Sequence, residues 1–276
     1  MTDDERAERD ENGTADQGEW DGGLAEDAAS LRRVEHDGFA SAHANEPNEL
    51  LRALPLDEYA HVTRLLTSER LQLKQTLIEP NVPIRDVYFP RVGVGSMLAE
   101  EQEGGTVEVG TIGPEGFIGI PVALGGESMP YRVLVQIEGE AWRMPAEVFR
   151  RVLDERPPVR RLILRYTQYF TDQLSQSVAC NRLHTLEERC ARWLLMTHDR
   201  VHGDRFEMTQ EFLSMMLGVH RPAVSIAMGV LQNAGMLHYS RGRVHVIDRE
   251  RLQDAACDCY RITRMERERL LGSRGS

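Results

Sequence analysis

A chain of 276 residues can hold two modest domains, and 41% hydrophobic residues suffice for ordinary globular cores. The formal net charge of −11 argues against a nucleic-acid partner only until it is located: residues 1–45 carry 13 Asp and Glu against four Arg, a net of −9, leaving the other 231 residues near −2 and free to hold a basic face. No run of about 18 apolar residues exists to span a membrane, the acidic amino terminus lacks the apolar stretch of a secretory signal, and four cysteines, all at or after Cys180, form no disulfide framework, so a cytoplasmic protein is expected.

Residues 1–45, rich in Asp, Glu, Gly and Ala, read as a disordered acidic tail, because they bury too little surface to offset chain entropy. From Glu49 to Ser68 the spacing of Leu50, Leu51, Leu54, Tyr59, Val62, Leu65 and Leu66 predicts a helix. Short β-rich runs follow at Gln72–Ile78, Asp86–Phe89, Gly95–Ala99, Thr106–Thr111, Arg132–Gln136 and Glu140–Arg143. Glycine- and proline-rich turns separate them, which predicts an antiparallel barrel or sandwich over 46–156. Glu115 and Glu127, beside glycine turns, read as exposed turn residues. Pro145–Leu153 reads as a short helix.

After Pro157-Pro158 a long helix is expected over 157–182. Val159, Ile163, Tyr166, Phe170, Leu174 and Val178 recur three or four apart as one apolar stripe. The stripe either forms a dimer interface or packs on the barrel of its own chain; its length favours the dimer.

Over 183–250 the order of elements carries more information than any one of them. Thr185–His202 is a helix with Leu186, Cys190, Trp193 and Leu194 inward, and Met208–Leu217 is a short helix with Thr209 as N-cap. Gly218-Val219 make a tight turn. Arg221–Asn233 is a second helix, with Pro222 in its first turn and Gly235 beyond its end. Leu237–Ser240 and Arg243–Ile247 then form a hairpin around Arg241-Gly242. This is the order of a winged helix-turn-helix, whose second helix enters the major groove of DNA. At 100° per residue, Val224, Ala227, Met228 and Leu231 share the core side, while Pro222, Ser225, Ile226, Gly229 and Asn233 share the other. Arg221 suits guanine O6 and N7, and His220 and Ser225 suit base or phosphate hydrogen bonds. Ile226 suits either a thymine methyl or local packing. Arg241 and Arg243 suit phosphates, and Thr209 and Gln210 complete the expected DNA-contacting set.

Three segments, GTIGPEGFIGIP (110–121), LEERCARWLL (186–195) and MTQEFLSMMLGVHRPAVSIAMGVLQNAGML (208–237), resemble the Crp/Fnr family of bacterial transcription regulators over about residues 50–250. The resemblance implies an α+β fold: an N-terminal cyclic-nucleotide-binding-like β-roll (a double-stranded β-helix or jelly roll), a long dimerisation helix and a C-terminal winged helix-turn-helix, with 251–276 as an extension. It also implies an effector signal that reorients the DNA-binding domains. Gly119, Ile120, Tyr131 and Arg132 occupy the positions of the family's effector contacts. Ile120 stands where cyclic-AMP-responsive members carry a glutamate, and Arg132 lies one place from the phosphate-binding arginine, so a cyclic nucleotide is not expected. Of the family's base-reading residues Arg221 is retained, whereas Pro222 and Ile226 replace the others, which implies a different operator.

No cysteine precedes Cys180, unlike the family's oxygen-sensing branch. Cys257-Asp258-Cys259 has no second pair at metal spacing, so these cysteines read as structural and no metal or other cofactor is expected. The chain has no Walker A, G-x-S-x-G, H-E-x-x-H or G-x-G-x-x-G run, and no enzymatic activity is expected. The expected partners are double-stranded DNA, a second copy of the chain, RNA polymerase and an unidentified small-molecule effector. The competing reading is a ligand-binding sensor whose winged helix contacts a protein.

Overall fold

The computed structural model describes residues 39–100, 105–201 and 203–272. The acidic tail of the sequence reading lies almost wholly outside the described residues. Every element below belongs to one compact unit, Ala42–Ser276.

The expected first helix is divided. Asn48 caps α1 (Glu49–Arg52) by accepting from the Leu51 N–H, and α2 (Leu56–Thr63) starts after Pro55, whose ring forbids a continuous helix. The chain then forms β1 (Thr67–Leu71), β2 (Thr76–Ile78), β3 (Asp86–Glu100), β4 (Thr106–Ile112), a short α3 (Ile120–Ala123) and β5 (Arg132–Pro145). The sheet order is β1-β5-β3-β4, with β2 paired to β5, and every pairing is antiparallel.

Two pairs of expected short strands are single strands here. Asp86–Phe89 and Gly95–Ala99 both lie in β3, and Arg132–Gln136 and Glu140–Arg143 both lie in β5. Their register shifts three times between Pro90 and Gly95, so bulges bend one long ladder where turns were expected. Inside the roll Phe117 stacks on Phe89 and leans on Phe149 and Tyr166, with ring centroids 5.3–5.7 Å apart.

α4 (Ala146–Glu155) and α5 (Pro157–Leu183) close the roll. Here the expected dimer stripe is corrected. Val159, Ile163, Tyr166 and Phe170 are buried in the roll's own core, and Leu174 packs on its edge; of the six residues only Val178, 73% exposed, faces outward. The physical reason is that the open end of the roll needs a cover, and α5 supplies it. Tyr166 comes so close to the Gly116 backbone that a Cβ there would lie 2.1 Å from its ring.

Glu115 is likewise corrected. It is not an exposed turn residue but is 1% exposed, with its carboxylate against Arg200; Glu127 is exposed as expected.

The second core is built on α6 (Leu186–His198), which starts with a capping box between Thr185 and Glu188. β6 (Arg205–Glu207), α7 (Gln210–Leu217), α8 (Arg221–Asn233), β7 (Leu237–Ser240) and β8 (Arg243–Val246) follow. The three strands pair in the order β6-β8-β7. α9 (Arg249–Asp254) and α10 (Cys259–Leu271) come last, and neither α10 nor β6 was anticipated. α10 runs along α5 and reaches the roll, where Arg267 pairs with Glu49 and Leu270 and Leu271 pack on the core.

Candidate nucleic-acid interface

α7 and α8 are set by local chemistry. Thr209 caps α7, its hydroxyl accepting from the Phe212 N–H at 3.1 Å. At the other end Gly218 takes a left-handed conformation, and the Val219 N–H returns to the Ser214 carbonyl at 3.0 Å. Arg189 of α6 donates to the Leu217 carbonyl at 2.6 Å, satisfying one of the free acceptors at that end. The chain bends by 103° between α7 and α8, within the range of a DNA-binding helix-turn-helix.

The two faces of α8 separate as the helical period requires. Val224, Ala227, Met228 and Leu231 are buried against α6 and α7, whereas Arg221, Pro222, Ser225, Ile226 and Asn233 are exposed. Ile226 is 66% exposed, which removes the alternative that it packs locally. The Ser225 hydroxyl donates to Gln210 Oε1 at 2.8 Å, so Gln210 at the start of α7 and Ser225 on α8 form one polar surface. His220 precedes α8 without capping it by a side-chain hydrogen bond. Among the described residues, neither Arg221 nor Arg241 forms an ion pair.

The wing is tight because Arg241 and Gly242 both have positive φ, 50° and 77°, the primed turn that two-residue hairpins favour. The Gly242 carbonyl accepts from the Met208 N–H at 2.7 Å, which ties the tip to the start of α7. Arg243 lies opposite Glu207, with 3.5 Å between charged atoms. Both are largely exposed, so the pair is weak and can yield to a phosphate. The sequence reading missed Arg205, which β6 places in register with His245, itself opposite His238. A three-residue strand is too short to carry a periodic signal. Its only mark is buried Phe206 between exposed Arg205 and Glu207.

The effector positions look different. Gly119 has φ 117° and sits against Val87, and Ile120 opens α3 half-buried. Tyr131 is exposed. Arg132 is already paired with Glu100 at 2.9 Å and Glu79 at 3.4 Å. These positions offer no carboxylate from Ile120 and no unpaired guanidinium from Arg132.

The domain-to-domain contact carries a second, partly buried acid. Glu108 of β4 accepts from Trp193 Nε1 of α6 at 2.9 Å and lies 2.6 Å from the Ser96 hydroxyl. Burial lifts its carboxyl to about 7, with Ser96 and Trp193 pulling in the other direction.

The reading of Cys257 and Cys259 as having no metal-spaced partners is also corrected. Cys180 and His184, at the end of α5, lie beside them, a grouping that sequence spacing does not reveal. Among the described residues no single helix is long and apolar enough to cross a membrane.

The cyclic nucleotide-binding domain model matches residues 68–156, and the Crp-like helix-turn-helix domain model matches residues 188–255. No curated protein matches the sequence significantly. Among solved structures, FixK2 from Bradyrhizobium japonicum is similar at a TM-score of 0.61 and 17% identity, covering 70% of this chain and 98% of its own. TTHB099, a CRP-family transcriptional regulator from Thermus thermophilus, has a TM-score of 0.58 and 18% identity, covering 68% and 96%. The c-di-GMP responsive global regulator CLP of Xanthomonas campestris has a TM-score of 0.56 and 15% identity, covering 70% and 99%. At such identities the structures establish a shared fold, and the two domain models occur here in the order that fold requires. The chain joins a cyclic nucleotide-binding domain to a Crp-like helix-turn-helix domain, and with this make-up it is a DNA-binding transcription regulator.

Proposed function

We propose that the protein acts as a homodimer on a palindromic operator, each copy laying α8 in the major groove. The observation that carries this reading is the outer face of α8, where Arg221, Ser225 and Ile226 stand exposed beside Gln210. Arg221 reads guanine, Ile226 meets a thymine methyl, and Ser225 with Gln210 supplies polar contacts. Thr209, His220, Arg241 and Arg243 hold the phosphates on either side.

In this reading residues 46–156 form the sensor, 157–182 the dimerisation helix, 183–250 the DNA-binding domain and 251–276 an extension. The dimer seam is the outward face of α5, with Leu164, Gln168, Thr171, Ser175 and Val178 at alternating four- and three-residue spacing. The Thr171 and Ser175 hydroxyls donate to carbonyls one turn back, at 2.9 and 3.0 Å, so both residues present small surfaces to a second helix. The sensor answers to a small molecule other than cyclic AMP, because Ile120 has no carboxylate and the Arg132 guanidinium is already taken by Glu79 and Glu100. The protein works in the cytoplasm, contacts RNA polymerase and catalyses no reaction.

Selection from a random duplex pool, followed by gel shifts across salt concentrations, tests the reading. The expected result is a palindrome with half-sites about one helical turn apart and affinity that falls with salt. Failure to retain any duplex, or a selected site without two-fold symmetry, overturns it. A thermal-shift panel including cyclic AMP and cyclic di-GMP tests the sensor; stabilisation by cyclic AMP refutes the reading of Ile120.

A further inference from the structure

Four ligand-type side chains that DNA reading does not use meet where α5 ends. Cys180 lies in its last turn and His184, four residues on, just beyond its end, while Cys257 and Cys259 flank the start of α10. One donor atom from each, three thiol sulfurs and an imidazole nitrogen, all lie within 4.8 Å of one another. Cys180 Sγ is 3.5 Å from Cys257 Sγ, and Cys259 Sγ is 3.5 Å from His184 Nδ1. All three cysteines are buried, at 0%, 5% and 1% exposure, and form a cluster apart from both cores.

The spacing discriminates between chemistries. A tetrahedral ion with metal–sulfur bonds of about 2.3 Å sets its sulfurs about 3.8 Å apart, close to what is found here. An iron–sulfur cluster places several irons and inorganic sulfides between its cysteines and needs a wider cage. A disulfide needs about 2.05 Å and would use only two of the four groups.

The surroundings also fit a closed ion site. Gln176, one turn before Cys180 on the same face of α5, donates to Cys259 Sγ at 3.0 Å, the kind of outer contact that orients a thiolate ligand. Three thiolates, a neutral imidazole and a dication leave one net negative charge, and the Arg192 guanidinium lies beside Cys180 to offset it.

We propose that Cys180, His184, Cys257 and Cys259 bind one Zn2+ per chain in a closed tetrahedral site that fastens the C-terminal helix to the end of α5. Each thiol that carries a proton releases it as the ion binds. Three thiolates with one imidazole, and no open position, make the site structural rather than catalytic. α10 runs from this site along α5 to Glu49 of the sensor, through Arg267. The ion therefore pins the start of a strap between the DNA-binding domain and the roll.

The test uses the full chain, purified reduced and without chelator. Elemental analysis is expected to find one zinc per chain. Titration of chelator-treated wild-type protein with Co2+ is expected to give thiolate-to-cobalt charge transfer and the intense visible bands of a tetrahedral ion. Cys259→Ser and His184→Ala should abolish or sharply weaken both signals. Gln176→Leu should weaken affinity roughly tenfold, as loss of an outer-shell partner does. Cys190→Ala, whose sulfur lies by Met228 in the other core, should leave stoichiometry unchanged. Zinc well below one per chain and unaffected by Cys259→Ser overturns the proposal. So does an octahedral cobalt spectrum, an iron–sulfur absorption, or a Cys180–Cys257 disulfide in zinc-replete protein. The cobalt titration needs only the wild-type chain, so a variant that fails to fold does not remove the test.

Discussion

Arg200 directs two guanidinium nitrogens, at 2.9 and 2.6 Å, onto one carboxylate oxygen of Glu115, a residue 85 positions earlier in the chain. Both side chains are buried, and Arg200 also donates to the Met196 carbonyl at 2.7 Å and to Gln173 at 3.2 Å. The turn carrying Glu115 is further tied to α1, since the Glu49 N–H donates to the Pro114 carbonyl and Asn48 to the Gly116 carbonyl. Burial alone would raise the Glu115 carboxyl, but Arg200 outweighs it and holds the group below the usual carboxylate range. The contact couples the sensor to the DNA-binding domain through a charge pair with no solvent to replace either partner.

Removing one partner should therefore cost more than removing both. Glu115→Gln leaves Arg200 buried and uncompensated, with an expected loss of about 3–5 kcal/mol, and Arg200→Met likewise strands Glu115. The double variant Glu115→Gln with Arg200→Met should recover a substantial part of that loss. Urea denaturation of the four proteins of this cycle measures it; additive losses would show that the pair does not act as a unit.

Glu108 predicts a pH dependence. Its carboxyl stands at about 7 in the folded chain against an ordinary value of 4.5, so between these values the native state holds a proton that the unfolded chain releases. The contribution is complete below about 4.5 and lost as pH rises through about 7, with a magnitude of about 3 kcal/mol. When protonated, Glu108 donates to Ser96 Oγ, which in turn donates to Gln136 Oε1 at 2.7 Å. Glu108→Gln keeps a donor in place and should flatten this part of the profile. Parallel stability profiles for wild type and variant between pH 5 and 8 would sink the assignment.

The arginines of the interface should differ in kind. Arg221→Ala is expected to relax preference at one base pair of the half-site, a loss of about 1–3 kcal/mol against the best sequence. Arg243→Ala should weaken all sequences alike and reduce the salt slope by about one. Binding isotherms on matched and mismatched operators at several salt concentrations separate the two. Equal behaviour of both variants would undo the division of roles.

The two faces of α5 should answer differently to substitution. Leu164→Glu with Val178→Glu places charges on the exposed seam, and light scattering should show monomers with little change in intrinsic stability. Phe170→Ala, on the buried face, should lose about 3–5 kcal/mol of stability. A Leu164/Val178 variant that stays dimeric would place the seam elsewhere.

Much of the exposed face of α8 and of the hairpin was legible in the sequence because it depends on periods of a few residues. The 3.6-residue repeat separated Val224 and Leu231 from Arg221 and Ser225, and the Arg241-Gly242 dipeptide marked the wing turn. The caps at Thr209 and Gly218 are local as well. Where two uses of one pattern were open, the sequence did not choose between them. The stripe from Val159 to Leu174 suited either a partner helix or the roll, and Ile226 suited either core or groove. Burial decided both, since it depends on what else the chain brings alongside.

The sequence by itself determined the succession of β-rich region, long helix and helix-turn-helix with its hairpin, and the exposed side of α8, since hydrophobic period and turn chemistry act between near neighbours. Only the tertiary structure decided that Glu115 is buried on Arg200, that α5 faces its own roll, and that Cys180 and His184 meet Cys257 and Cys259. Those contacts join residues far apart in the chain, 49 for Phe117 with Tyr166, 75 for His184 with Cys259 and 85 for Glu115 with Arg200, separations over which spacing carries no distance information.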